Sequence, residues 1–401
     1  MTDARTVTLG SVGSFSAGYG FPIPLQGRTA GDFPFAKVGD ISSLARAGLS
    51  YIAGAANYVD NADVATLKAK PLPKGSIVFA KIGEAIRQNF RLITRCEMLV
   101  DNNVMGFTPD PASLDTKYAL YFFRQKDLYG LTSSTTVPSL RKSTLESITL
   151  RLPSLAKQKR IAAILDAADA LRAKRRESIE QLDSLVQATF LEMFGDPVTN
   201  PRKWPITCLR DIANDTFRNG LSPSTKGSVA GQVLTLGAIT SGEFLFAERK
   251  SACFDRPAAE VQTLSERTFL ICRGNGNRDL VGIGAFPDRT SADVCFPDTM
   301  IGATPDCGIV HGRYLHRVWN SRSVRTQVES MARTTNGTYK VNQQMLASVA
   351  MPLPPLDLQT RFASIVESIE QQKARLKVHL AELDTLFASL QSRAFNGELM
   401  A

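Results

Sequence analysis

The sequence predicts an α+β protein in which two mixed α/β globules alternate with two long helices. The helices are expected to run antiparallel as a coiled coil, and the whole is an internal repeat about a pseudo-two-fold axis. Three observations carry this. Residues 152–196 recur at 353–397 with a constant offset of 201 and no gap, and twelve of the 45 paired positions are identical. In both copies apolar residues return at a spacing near that of a coiled-coil seam. Outside the copies the chain is made of short β-branched runs broken by Gly, Asn and Pro, which reads as mixed α/β globules.

Residues 1–151 read as the first globule, with a β-rich run at 74–81 and a helical stretch at 118–126. Residues 152–198 read as the central helix. Its seam is Ile161, Ile164 or Leu165, Ala168, Leu171, Ile179, Leu182, Leu185 or Val186, and Met193. Residues 199–351 form the second globule, with a β-rich run at 267–273 and a helical stretch at 313–333. Residues 352–401 carry the second helix, with a seam of Phe362, Ile365 or Val366, Ile369, Leu376, Leu380, Leu383, Leu386 or Phe387, and Leu390. A Leu-Pro pair opens each helix, as proline is tolerated in a first turn and disfavours helix just before it. Gly195-Asp196-Pro197 and Asn396-Gly397 end them.

The globules are related more loosely. The stretch from Val7 to Gly20 aligns with that from Thr207 to Gly220, and Val38-Gly39-Asp40-Ile41 resembles Leu236-Gly237-Ala238-Ile239. A helix of roughly 35 to 40 residues spans ~50 to 60 Å, so the second helix must return along the first to bury its seam. That order puts one globule at each end of a rod, a natural reader of two separated DNA half-sites, where one duplex turn is ~34 Å.

The charge agrees. The chain carries a net charge of +9, and Lys plus Arg exceed Asp plus Glu by 4 in residues 1–150, by 1 in 151–196 and by 5 in 197–350, with a deficit of 1 in 351–401. The basic excess therefore sits in the globules and points to a polyanionic partner. The six cysteines form no C-x-x-C pair and read as reduced core thiols. The three histidines, His311, His316 and His379, have no metal-ligand spacing. No apolar run approaches the ~18 residues of a membrane span, and the first residues lack signal character, so a cytoplasmic location with no membrane partner is expected.

Catalytic patterns are missing. An adenine methyltransferase needs an N/D-P-P-Y/F tetrapeptide, and the nearest sequence is Asn200-Pro201-Arg202-Lys203. The glycines around 274–284 make no phosphate loop, and no Walker loop occurs. No catalytic or metal-binding residue is assigned.

DNA contact is expected from loops that follow strands or precede the repeated helices, because base reading needs side chains projected from a rigid scaffold. Arg273, Asn275, Asn277 and Arg278 offer guanidinium and amide groups suited to guanine and adenine. Lys81, Arg87 and Arg91 occupy the matching region of the first globule. The segment of Ser134 and Thr135 aligns at offset 201 with that of Thr334, Thr335 and Asn336, and Arg141 and Lys142 align with Asn342 and Gln343. Tyr339 and Lys340 lie beside that segment, and hydroxyls and amides there suit phosphates.

Leu152, Pro153, Leu155, Gln158 and Arg160 stand at the start of the first long helix, and Leu353, Pro354, Leu356, Gln359 and Arg361 at the start of the second. Through these residues the sequence resembles the DNA specificity subunit of Type I restriction–modification systems. The two stretches look like the family's L-P-P-L-x-E-Q motif, which opens its spacer helices. Trp204-Pro205 leading to Leu209 and Ile212 resembles the family's approach to its second target-recognition domain. The resemblance implies a non-catalytic reader of double-stranded DNA: each recognition domain binds half of a bipartite target and the helices hold the spacing. It implies two modification subunits that methylate adenine with S-adenosylmethionine, and restriction subunits that use ATP and Mg, none of these cofactors being bound by this chain. It also implies a prokaryotic cytoplasmic setting. The alternative left open by the residues is a scaffold whose coiled coil joins two protein-binding globules without DNA.

Overall fold

The structure of the chain, a computed structural model, describes residues 5–133, 137–213, 216–335 and 337–399, with only the backbone of Thr335. Two long helices dominate it, Leu155–Phe194 of 40 residues and Leu356–Asn396 of 41. They begin at the same position of the repeat, right after the Leu-Pro motif. Each ends against a glycine with positive φ, Gly195 at 79° and Gly397 at 81°, a conformation that only a residue without Cβ adopts freely. No helix of the described residues is long and apolar enough to cross a membrane.

The chain divides into two compact units, residues 1–178 with 376–401 and residues 179–375. In the first unit, strand Arg5–Thr8 pairs antiparallel with Thr149–Leu152, which closes the start of the globule onto its end. Between them lies a five-stranded sheet in the order Gly13–Ala17, Val104–Pro109, Ile77–Ala80, Leu92–Thr94, Tyr51–Ile52. A three-stranded sheet of Tyr58–Val59, Phe33–Ala36 and Leu99–Val100 adjoins it. Helix Thr116–Gln125 buries six consecutive residues, Tyr118 to Phe123, because it is covered on both sides. Phe123 packs on Phe15, Phe79 and Phe107 of the sheet. Tyr118 and Tyr121 pack on Phe395 and Phe387 of the second long helix. Within this unit the two long helices run antiparallel: Ala162 shares a core with Ala394, and Arg172 pairs with Asp384.

The second unit repeats this plan. Strand Ile206–Cys208 pairs antiparallel with Ala350–Pro352. One four-stranded sheet runs Arg218–Asn219, Met300–Ala303, Phe269–Cys272, Gly284–Ala285, and another runs Arg249–Phe254, Val229–Leu234, Ser291–Cys295, Thr263–Leu264. Helix Gly312–Trp319 buries Tyr314, Leu315, Val318 and Trp319. Here Tyr314 packs on Phe194 at 4.9 Å, as Tyr118 packs on Phe395 at 5.1 Å. The two phenylalanines are repeat equivalents, so each unit seals its core with the end of the helix that the other copy of the repeat encodes. The tyrosine hydroxyls donate alike, Tyr118 to the Arg151 carbonyl at 2.9 Å and Tyr314 to that of Pro352 at 2.7 Å.

Several expectations need correction. The stretch 313–333 is two helices, Gly312–Trp319 and Arg322–Met331. The break falls at Asn320, whose amide donates to the Gly284 and His316 carbonyls instead of facing solvent. The glycine equivalent to Gly220 is Gly18, not Gly20: a Cβ on Gly18 would lie 1.9 Å from the Asp101 oxygen and one on Gly220 2.1 Å from that of Pro297, whereas Gly20 stands in open space. The six cysteines are free, but only Cys272 and Cys295 are buried, and Cys253 and Cys307 are exposed. In the helices Leu171, Leu185, Ile365 and Leu386 are exposed. Of the paired seam alternatives Leu165, Val186, Val366 and Phe387 take the inward places; Leu171 alone has no inward alternative, and Arg172 rather than Leu171 covers Phe387, with 4.3 Å from guanidinium to ring centre.

Candidate nucleic-acid interface

The residues singled out in the second globule, some 60 positions apart in the chain, form one small antiparallel sheet. Gly274–Asn275 pairs with Thr338–Lys340, which pairs with Arg333–Thr335. Gly274 is needed there because Lys340 crosses it, its Cγ 3.2 Å from where a Cβ would sit. Arg273 anchors the base: its N–H donates to the Thr299 carbonyl at 2.8 Å and its guanidinium to the Asp298 carbonyl at 3.1 Å, while its own carbonyl accepts from Val341 at 2.9 Å. Thr334 and Lys340 are exposed and Tyr339 is half-buried. The turn after Asn275 is folded on itself. Asn275 accepts from the Asn277 N–H at 2.9 Å, Asn277 caps the short helix Arg278–Leu280 through the Asp279 N–H at 3.0 Å, and Arg278 donates to the Glu329 carbonyl at 2.8 Å. Asn336 lies outside the described residues, as does the side chain of Thr335.

The first globule builds the same ribbon from isolated bridges, Ile82 with Ser139 and Ser139 with Ser133. Leu140 donates to the Lys81 carbonyl at 2.9 Å as Val341 donates to that of Arg273, which makes Lys81 and Arg273 equivalent cations at the two ribbon bases. The Lys81 ammonium has no partner among the described residues. Ser134 and Thr135 lie outside them. Arg141 and Lys142 open the short helix Lys142–Glu146, the counterpart of Gln343–Ala347, and both are exposed, with Lys142 3.7 Å from Glu146. Arg87 is exposed, 3.1 Å from Glu84, and stacks 3.8 Å over the Tyr129 ring. The Glu84 carboxylate also accepts from the Tyr129 hydroxyl at 2.8 Å. These bonds hold the Glu84 carboxyl below its ordinary range, the tyrosine bond first and Arg87 second.

Arg91 does not belong with the surface set. It is 1 % exposed, its guanidinium donates to the Phe90 carbonyl and the Asn89 side chain at 2.7 Å each, and it lies 5.0 Å from the Phe79 ring centre. Burial, with the charge of Arg124 adding, lowers its pKa to about 9. A side chain so enclosed offers no surface to DNA.

The repeated motif residues are structural. Gln158 and Gln359 are wholly buried. Gln158 accepts from the Asp115 N–H at 2.8 Å and donates to the carbonyls of Ser113 at 2.9 Å and Pro153 at 2.8 Å. Gln359 accepts from the His311 N–H at 2.8 Å and donates to the carbonyls of Pro354 at 2.7 Å and Ile309 at 3.4 Å. Leu152 and Pro354 are buried, Pro153, Leu155, Leu353 and Leu356 half-buried, and Arg160 and Arg361 exposed. Sequence reasoning missed Asp115 and Tyr118, which recur as His311 and Tyr314; the shared spacing of cap and tyrosine is the signal that would have found them.

A duplicated α/β globule, a duplicated basic ribbon and two long helices define a class of internally repeated proteins, and comparison with known proteins finds similar ones. Residues 1–181 match the family model described as Type I restriction modification DNA specificity domain. The EcoKI specificity subunit of Escherichia coli K12 is 25 % identical over 313 residues, 71 % of this chain and 64 % of that protein. The chain thus spans less than two thirds of the length of the curated relatives it matches. In fold it is similar to the S subunit of a Type I restriction–modification system from M. genitalium, with TM-score 0.53 and 14 % identity over 98 % of this chain and 96 % of that one. It is also similar to a structure solved to explain complex assembly and conformational transition of the type I R-M system, with TM-score 0.62 and 17 % identity over 99 % and 98 %. Residues 1–181 thus resemble a Type I specificity domain in sequence, and the chain is similar in fold to subunits of Type I restriction–modification systems.

Proposed function

We propose that this chain is the DNA-recognition subunit of a Type I restriction–modification complex. Each globule reads one half of a bipartite target, and the long helices fix the number of base pairs between the halves. The observation that carries this reading is the duplicated ribbon, with the cations Lys81 and Arg273 at equivalent bases and a different set of polar side chains beyond each. Shared cations suit phosphates, which carry no sequence; unlike outer residues suit unlike half-sites. Two modification subunits holding S-adenosylmethionine would methylate adenine, and restriction subunits using ATP and Mg would translocate and cut. The division into recognition domains at 1–151 and 199–351 and spacer helices at 152–198 and 352–401 belongs to the same reading. The DNA-free scaffold is the less favoured alternative.

Methylome sequencing of cells with and without the gene tests this. The expected result is loss of one split adenine-methylated motif with a fixed spacer. An unchanged methylome, or methylation by the purified chain alone with S-adenosylmethionine, would overturn it.

A further inference from the structure

Among the described residues no side chain is buried between Ala168 and Phe190 of the first long helix, or between Ile369 and Ala394 of the second. Apolar packing between the helices there is only partial, so charged side chains add to the register that the buried helix ends give. Two clusters of ion pairs lie inside this stretch. In the first unit Arg172 Nε donates to Asp384 Oδ1 at 2.6 Å, with Arg176 on the same oxygen at 3.2 Å and Asp169 2.7 Å from Arg172. In the second unit Lys373 pairs with Asp183, and Glu243 lies 3.8 Å from the same ammonium. Arg172 and Lys373 are the same position of the repeat, 201 residues apart, and so are Asp183 and Asp384. Each copy therefore supplies one cation and one carboxylate, and each cation meets the carboxylate of the other copy. The two cations are sheltered, with 18 % and 15 % of their side chains exposed.

We propose that Arg172 with Asp384 and Lys373 with Asp183 form a reciprocal register lock, four positioning residues that admit one antiparallel alignment of the helices and so one distance between the half-sites. This rests on the reading of the chain as a DNA-recognition subunit. The lock works by exclusion as much as by attraction. Sliding the helices by seven residues one way brings Arg172 opposite Lys377 and Lys373 opposite Arg176, cation against cation at both places. Sliding seven the other way brings them opposite Gln391 and Phe190, taking from each sheltered cation the carboxylate of the other copy.

The test is a charge-swap cycle in the full chain, R172D, D384R and the double variant, with K373D and D183K in parallel. Two readouts are taken: the melting temperature of the purified chain, and the methylome when each variant is expressed with its modification subunits. Each single reversal is expected to lower the melting temperature and to reduce methylation at least fivefold, and each double variant to recover part of both with half-sites unchanged. The neutral variants R172Q and K373Q cover the case in which a reversal prevents folding. They are expected to keep the half-sites and to add sites whose spacer differs from that of the wild type. Single variants that methylate the wild-type motif alone at wild-type level, or doubles no better than the singles, would overturn the lock. A wild-type chain that directs no methylation would overturn the functional reading instead, while the melting cycle still decides the lock.

Discussion

The buried side chain of Gln158 accepts the backbone N–H of Asp115 at 2.8 Å, and Asp115 in turn caps the helix Thr116–Gln125 that fills the first globule's core. The first turn of a long helix thus holds the first turn of a globule helix. Gln359 and His311 repeat the arrangement in the second unit, where the His311 ring nitrogen accepts from the Arg313 N–H at 3.2 Å.

Replacing Gln158 or Gln359 by methionine keeps the volume and removes three hydrogen bonds from a buried site. Because the partners left behind are backbone groups that cannot move to water, each change is expected to cost about 1–3 kcal/mol. Urea denaturation of the full chain measures it, and a loss below about 0.5 kcal/mol would contradict the role given to the amide.

Gly18→Ala and Gly220→Ala drive a methyl group into backbone oxygens 1.9 and 2.1 Å away, whereas Gly20→Ala meets nothing within 4 Å. The first two are expected to destabilise by about 2 kcal/mol or more, as overpacking against backbone does, and the third to stay within about 0.5 kcal/mol. Melting temperatures of the three variants check the assignment of Gly18 as the equivalent of Gly220.

Lys81 and Arg91 are ten residues apart and have opposite expectations. K81A removes an unpartnered surface cation and should flatten the dependence of log affinity on log salt for any duplex by about one. R91M removes a buried guanidinium and should leave that slope unchanged. Equal slopes for K81A and wild type would take Lys81 out of the interface.

The pKa of His311 is lowered, by burial first and by the Arg313 charge second, and that of His316 is lowered chiefly by burial. A histidine whose folded pKa is depressed binds fewer protons folded than unfolded, so it favours folding above its ordinary value of about 6.5. Stability is therefore expected to fall as pH drops below about 6.5. Denaturation midpoints at pH 7.5 and 5.5 check this. The difference should shrink in H316Q, and a midpoint that rises on acidification would contradict the sign.

The sequence by itself determined the repeat, the two long helices and their ends, because helix periodicity, Leu-Pro starts and Gly stops act within a few residues of one another. It also singled out Arg273, Asn275, Tyr339 and Lys340. Tertiary structure alone decided that these four share one ribbon, since strand pairing joins residues some 60 positions apart. Only it decided that Arg91 points inward, because a single arginine carries no periodic sign of the aromatic ring it faces. The same holds for the inner face of the helices: neighbouring apolar residues such as Ile365 and Val366 fit either phase of a heptad, and the choice falls to what packs opposite. The repeated Gln158 and Gln359 were visible as a motif, but their meaning lay in Asp115 and His311, partners that only the folded chain brings within hydrogen-bonding distance.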